Sequence, residues 1–115
     1  MEKWVIYIIW IGILIIPIAL IVTGLILWQK TPKLNKVFGY RTSKTLSNEE
    51  TWTTANKFWG MLSFIIGIID LIILIPTLIL TIPDKYWISL VVFGVVAIAS
   101  FVVPIVLVER KLKTV

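Results

Sequence analysis

The chain has 115 residues, is 59% hydrophobic and 15% charged, and carries a net charge of +5. Soluble domains run nearer about 45–50% apolar and about 25% charged, so a soluble globular domain is excluded on composition. With no Cys and no His, disulfides, thiol nucleophiles and imidazole acid–base chemistry are excluded, and almost every zinc site with them.

In chain order, the first window runs from Trp4 to Trp28 and contains no Asp, Glu, Lys or Arg. It exceeds the roughly 20 apolar residues needed to cross about 30 Å of hydrocarbon. It is longer than a signal-peptide core and ends in "LILWQK", with no small-residue cleavage pattern, so a retained membrane helix over 4–28 is predicted. Pro32 in "QKTPK" forbids its continuation.

Residues 29–57 form a polar loop. Within it stands "GYRTSKTLSNEETWTTANKFWG", residues 39–60. Gly39 permits a turn, and Arg41 and Thr42 supply donors. Ser47 followed three residues later by Glu50 reads as a capping box, which predicts a helix starting at Asn48. Glu49 and Glu50 then fall in its first turn, where the helix dipole favours negative charge. A bend at Gly60 would leave residues 48–59 as a short interfacial helix in the headgroup region.

The second membrane helix is predicted over 58–82. Counting 100° per residue from Trp52 places Trp52, Asn56, Trp59, Ser63 and Asp70 within about 40° of one line, with Gly60 and Gly67 beside it. That polar, small-residue face suits a neighbouring helix, and the opposite face of Ile and Leu suits lipid. Asp70 is the one charged residue of the window. A charged acid at that depth costs about 2.5–3.5 kcal/mol or more, so it is expected protonated or paired. Pro17 in the first helix frees the carbonyl of Ile13 at the same depth, and a neutral Asp70 donating to it is the expected packing bond. A proton or ion site at Asp70 is the functional alternative.

"TIPDK" reads as a tight turn in which Pro83 stops the helix. The third helix is predicted over 86–108, followed by a basic tail, 109–115. The result is an all-α membrane protein, residues 1–115 forming a single integral membrane domain. Nine of the eleven basic side chains fall in the first loop or the tail, and only Lys3 and Lys85 fall on the other side. The positive-inside rule then predicts a multi-pass cell-membrane protein with its N-terminus outside and a cytoplasmic loop and C-terminus. Topology accounts for the net charge, and no nucleic acid is called for. Trp4, Tyr7, Trp10, Tyr86 and Trp87 mark one predicted interface, and Trp28 and Trp59 the other.

The polar segment resembles the signature of the SdpI family of bacterial membrane proteins. The matching residues are Gly39, Arg41, Thr42, Asn48, Glu50, Trp52, Ala55, Asn56 and Gly60. Lys57 stands where the family usually has Arg, keeping the charge but not the planar fork. The resemblance covers the C-terminal, three-helix portion of a longer founding member, an immunity protein that protects its producing cell from a secreted peptide toxin and holds a transcriptional repressor at the membrane. It therefore implies toxin immunity, membrane signalling or both, with a peptide toxin or a cytoplasmic regulatory protein as partner beside the lipid bilayer.

Two other classes stay open. One is an enzyme acting on a lipid headgroup, with Arg41, Lys44 and Lys57 holding phosphate and Glu49 or Glu50 as base. The lack of His, Cys and a metal-type acidic cluster counts against it, and no cofactor or metal is expected. The other is a small proton-coupled transporter using Asp70. With three spans and one acid, that would need a homo-oligomer.

Overall fold

The computed structural model describes residues 2–35, 38–81 and 84–113. Three long helices make up almost all of it: α1 (Lys3–Gln29), α2 (Glu49–Thr81) and α3 (Tyr86–Leu112). A single 3₁₀ turn, Thr45–Ser47, precedes α2. All three helices are long and apolar enough to cross a membrane, and the protein is a multi-pass membrane protein. The molecule is a rod of 52 × 22 × 20 Å. α2 packs along both neighbours, whereas α1 and α3 barely touch.

Small and polar residues are buried together with Leu and Ile inside, and the outer surface is apolar. α1 buries Ile13, Pro17, Leu20, Gly24 and Leu27. α2 buries Trp52, Asn56, Gly60, Ser63, Gly67, Asp70, Leu74 and Leu78 along one face, a spacing of three and four residues. The large exposed residues include Ile11, Ile15, Val22, Ile68, Ile72, Val95 and Ile98. Since lipid tails are as apolar as leucine, burial of apolar surface does not drive these helices together; close backbone approach and interhelical hydrogen bonds do. A Cβ on Gly60 would lie 2.5 Å from the Trp28 backbone nitrogen and 2.7 Å from the Gly24 carbonyl, and one on Gly24 would lie 2.6 Å from the Phe64 nitrogen. The two helices meet there backbone to backbone.

Several expectations are corrected. α2 runs unbroken through Gly60, so the helix predicted over 48–59 forms the first turns of α2 rather than a separate interfacial element. Gly60 lies at the close contact with α1. The cap is Asn48, not Ser47: Asn48 is extended (φ −162°, ψ 167°) and its Oδ1 accepts from the Thr51 N–H at 2.8 Å. Ser47 instead donates to the Lys44 carbonyl at 2.6 Å. α3 continues past 108 into the expected tail, burying Leu112. Pro83, the predicted helix stop, lies outside the described residues, as does Lys36 of the loop.

Candidate functional site

The described residues of the loop between α1 and α2 fold onto the helix ends. Trp52, fully buried, donates from Nε1 to the Pro32 carbonyl at 2.8 Å. The Leu34 N–H donates to Glu49 Oε2 at 3.3 Å. One turn beyond Trp52, Asn56 is also fully buried. Its Oδ1 accepts from the Tyr40 N–H at 2.5 Å, and its Nδ2 donates to the Tyr40 carbonyl at 3.2 Å and to the Trp52 carbonyl at 3.0 Å. A planar amide with an acceptor on one side and donors on the other suits this double pairing with a backbone segment.

Gly39 makes the approach possible. Its φ of +124° is the one positive value among the described residues. A Cβ there would meet Asn56 Oδ1 at 2.6 Å and the Trp52 ring at 3.0 Å. Beyond it, Thr42 and Thr45 close a small knot. The Thr42 N–H donates to Thr45 Oγ1 at 2.7 Å, and Thr45 Oγ1 donates to the Thr42 carbonyl at 3.0 Å. Thr45 is wholly buried.

Tyr40 ties this cap to α3. Its hydroxyl donates to Glu109 Oε1 at 2.5 Å, and its ring packs 4.9 Å from that of Trp59, centroid to centroid. Tyr40, Ala55, Val108 and Leu112 form one buried cluster, flanked by Phe58, Trp59 and Leu62. Burial first, and then the hydrogen bond and negative charge of Glu109, push the Tyr40 phenol well above its ordinary value. Lys44 Nζ donates to the Leu112 carbonyl, one of the carbonyls left open at the end of α3.

The predicted motif residues therefore divide. Gly39, Thr42, Asn48, Trp52, Asn56 and Gly60 are joined in holding the loop or the helix pair. Arg41 is exposed and donates to the Asn35 carbonyl; it does not reach Glu50 or Asn56. Glu50 is exposed in the first turn of α2. Lys57 is exposed at a recess it shares with Lys111. Tyr40 and Glu109 were missed by sequence reasoning. The signal for Glu109 was weak: one acid in an otherwise basic tail.

Midway along the bundle, Asp70 is buried and meets α3, not α1. Ser100 Oγ lies 2.6 Å from Asp70 Oδ2 and 2.7 Å from the Val96 carbonyl. At the depth of Pro17, α1 faces Gly67 instead, whose Cβ would lie 2.8 Å from the Pro17 carbonyl. Ser63 is buried on the same face of α2, and its Oγ finds no partner among the described residues. An apolar groove of about 210 Å³ between α2 and α3 opens over Asp70 and Ser100. No group of three or more acidic residues that could hold a metal occurs among the described residues.

Residues 31–108, more than half of the chain, match the model of the SdpI/YfhL protein family. That span holds the cap, α2 and most of α3. No curated protein and no solved structure matches the chain.

Proposed function

Because the chain belongs to the SdpI/YfhL protein family, we propose that it acts in immunity against a membrane-active peptide, in membrane signalling, or in both, through the folded cap. The observation that carries this reading is the folding of the described parts of the connector, residues 30–35 and 38–48, onto the ends of the helices. Neighbouring helices need only roughly 2–8 residues to be joined, and longer ordered loops are usually functional. Fixing each backbone residue costs about 1–2 kcal/mol, which Trp52, Asn56, Glu49 and Tyr40 offset with hydrogen bonds. A mere connector would not need that arrangement.

The cap presents Lys33, Arg41 and Lys44 as exposed cations on one end of the bundle. We place that end in the cytoplasm, with the N-terminus outside, because basic residues near span ends stay on the inner side. A partner approaching from the cytoplasm would meet a basic surface of fixed shape. A hydrophobic peptide in the bilayer would meet the α2–α3 groove, whose apolar walls surround the polar pair Asp70–Ser100.

The test is expression of the chain in a peptide-sensitive bacterial cell that is then challenged with a membrane-active peptide. Survival should rise with the wild-type chain. It should fall again with Arg41→Lys or Trp52→Phe at equal membrane abundance. Unchanged sensitivity across membrane-active peptides would remove the immunity role. A C-terminal reporter active only outside the cytoplasm should stay silent, and an active one would reverse the orientation.

A further inference from the structure

A recess of about 340 Å³ lies at the cap end of the bundle, lined by Trp28, Thr54, Lys57, Phe58, Met61 and Lys111. All three helices contribute to it. Trp28 comes from the last turn of α1 and Lys111 from the last turn of α3. Residues 54, 57, 58 and 61 follow one another at helical spacing, so they share one face of α2. The Lys111 ammonium sits 4.4 Å above the centre of the Phe58 ring. Lys57 and Lys111 are both exposed, whereas Thr54, Phe58, Met61 and Trp28 are partly buried.

We propose that this recess binds the headgroup of an anionic phospholipid, with Lys57 and Lys111 flanking its phosphate. Two ammonium-bearing side chains line one small recess, which suits the multiple negative oxygens of a phosphate. Lysine binds phosphate as a compact point charge with rotatable donors, which suits a headgroup that need not be fixed in one geometry. Thr54 adds a hydroxyl to the same wall. The rest of the lining is Trp, Phe and Met, and Trp28 ends a membrane-spanning helix, where aromatic rings stand at headgroup level. A free phosphate would leave those apolar walls against water. A phospholipid covers them with its glycerol and the first methylenes of its chains. The commitment is therefore to lipid and not to free phosphate. It is independent of the immunity reading, since a lipid titration does not read protection.

The experiment uses the full chain in a mild non-ionic detergent, titrated with phosphatidylglycerol brominated in its acyl chains. Phosphatidylcholine carrying the same chains is the control, and tryptophan fluorescence is read. Phosphatidylglycerol should quench a saturable fraction that Trp28→Phe lacks and that phosphatidylcholine does not quench. Each lysine near an anionic lipid contributes about fivefold in affinity, so Lys57→Gln with Lys111→Gln should raise the half-saturating concentration about 25-fold. Lys57→Arg with Lys111→Arg keeps both charges and should stay within about twofold of wild type. Equal quenching by the two lipids, or an unchanged half-saturation in the double Gln variant, would overturn the proposal. So would relief of quenching by inorganic phosphate at the lipid's own concentration, which identifies a free-anion site.

Discussion

The side chain of Asn56 pairs with both backbone polar groups of Tyr40, accepting from its N–H at 2.5 Å and donating to its carbonyl at 3.2 Å. Both residues are buried, so neither half of the pair has water as an alternative. Leaving a buried donor or acceptor unmade costs about 1–3 kcal/mol, more than a typical bond contributes when present. Asn56→Ala should lower stability by roughly 3 kcal/mol, since it strands two groups of Tyr40 at once. Loss of the pair should also free the loop locally. Trypsin cleavage after Arg41 and Lys44 should then speed up before the helices unfold. Equal cleavage rates in wild type and variant would show that the pair does not hold the cap.

Gly39 and Gly12 make a contrasting pair. At Gly39 any side chain meets a positive φ and the Asn56 carboxamide together, and the backbone strain alone is worth about 1–3 kcal/mol. At Gly12 nothing lies within 4 Å of an added Cβ. Gly39→Ala should reproduce the loosened cap of Asn56→Ala, and Gly12→Ala should leave stability unchanged or slightly raised. Thermal unfolding in detergent separates the two.

Asp70 and Ser100 allow a prediction from hydrogen counting. Ser100 has one hydroxyl hydrogen, yet its oxygen sits within bonding distance of both a carboxylate oxygen and the Val96 carbonyl. If Ser100 donates to Val96, the remaining contact needs a hydrogen from Asp70. A protonated Asp70 donating to Ser100 Oγ satisfies both. The infrared spectrum at neutral pH should show a protonated-acid carbonyl band that Asp70→Asn removes. Asp70→Asn itself should keep the fold, because an amide can make the same contact. Ser100→Ala should cost about 0.6–1.7 kcal/mol, the range of interhelical bonds in membranes. A carboxylate band in place of the acid band would reject the arrangement.

Tyr40 predicts an alkaline limit. Its folded phenol is held above its ordinary value by burial and by Glu109. The neutral form is thus favoured by folding, and its contribution is complete below the unfolded value of about 10. As pH rises past that value the unfolded state loses the proton first, and stability falls. Cap stability, read by trypsin-independent fluorescence unfolding, should decline between pH 9 and pH 12, both values being about one to two units from the unfolded pKa. Tyr40→Phe should be less stable at neutral pH but should lose less over that range. An equal alkaline decline in Tyr40→Phe would assign it to another group.

The three spans were legible in the sequence because the bilayer demands about 20 apolar residues in succession and little else. The inner face of α2 was legible too. Trp52, Asn56, Ser63 and Asp70 stand at helical spacing among Ile and Leu, and a polar or small residue in lipid has reason to face protein. On α1 and α3 the contrast is thin, since from Tyr86 to Val108 α3 offers only two serines, Ser89 and Ser100, against its aliphatic residues. A helix that is apolar all round does not mark which side meets its neighbour, since lipid and protein interior are alike to an isoleucine. That is why Asp70 was assigned to the carbonyl freed by Pro17, when rotation of the helices brings it to Ser100, the one polar side chain of α3 at that depth. The helix cap moved by one residue because Ser47 and Asn48 are both competent caps and only the backbone angles choose. The bond between Tyr40 and Glu109 joins groups 69 residues apart, and no local pattern encodes it. The chain's own chemistry determined the membrane, the spans and the polar face of α2. The tertiary structure alone decided which partners those polar groups meet, because in a bilayer it is helix rotation and close contact, and not hydrophobicity, that distinguish one face from another.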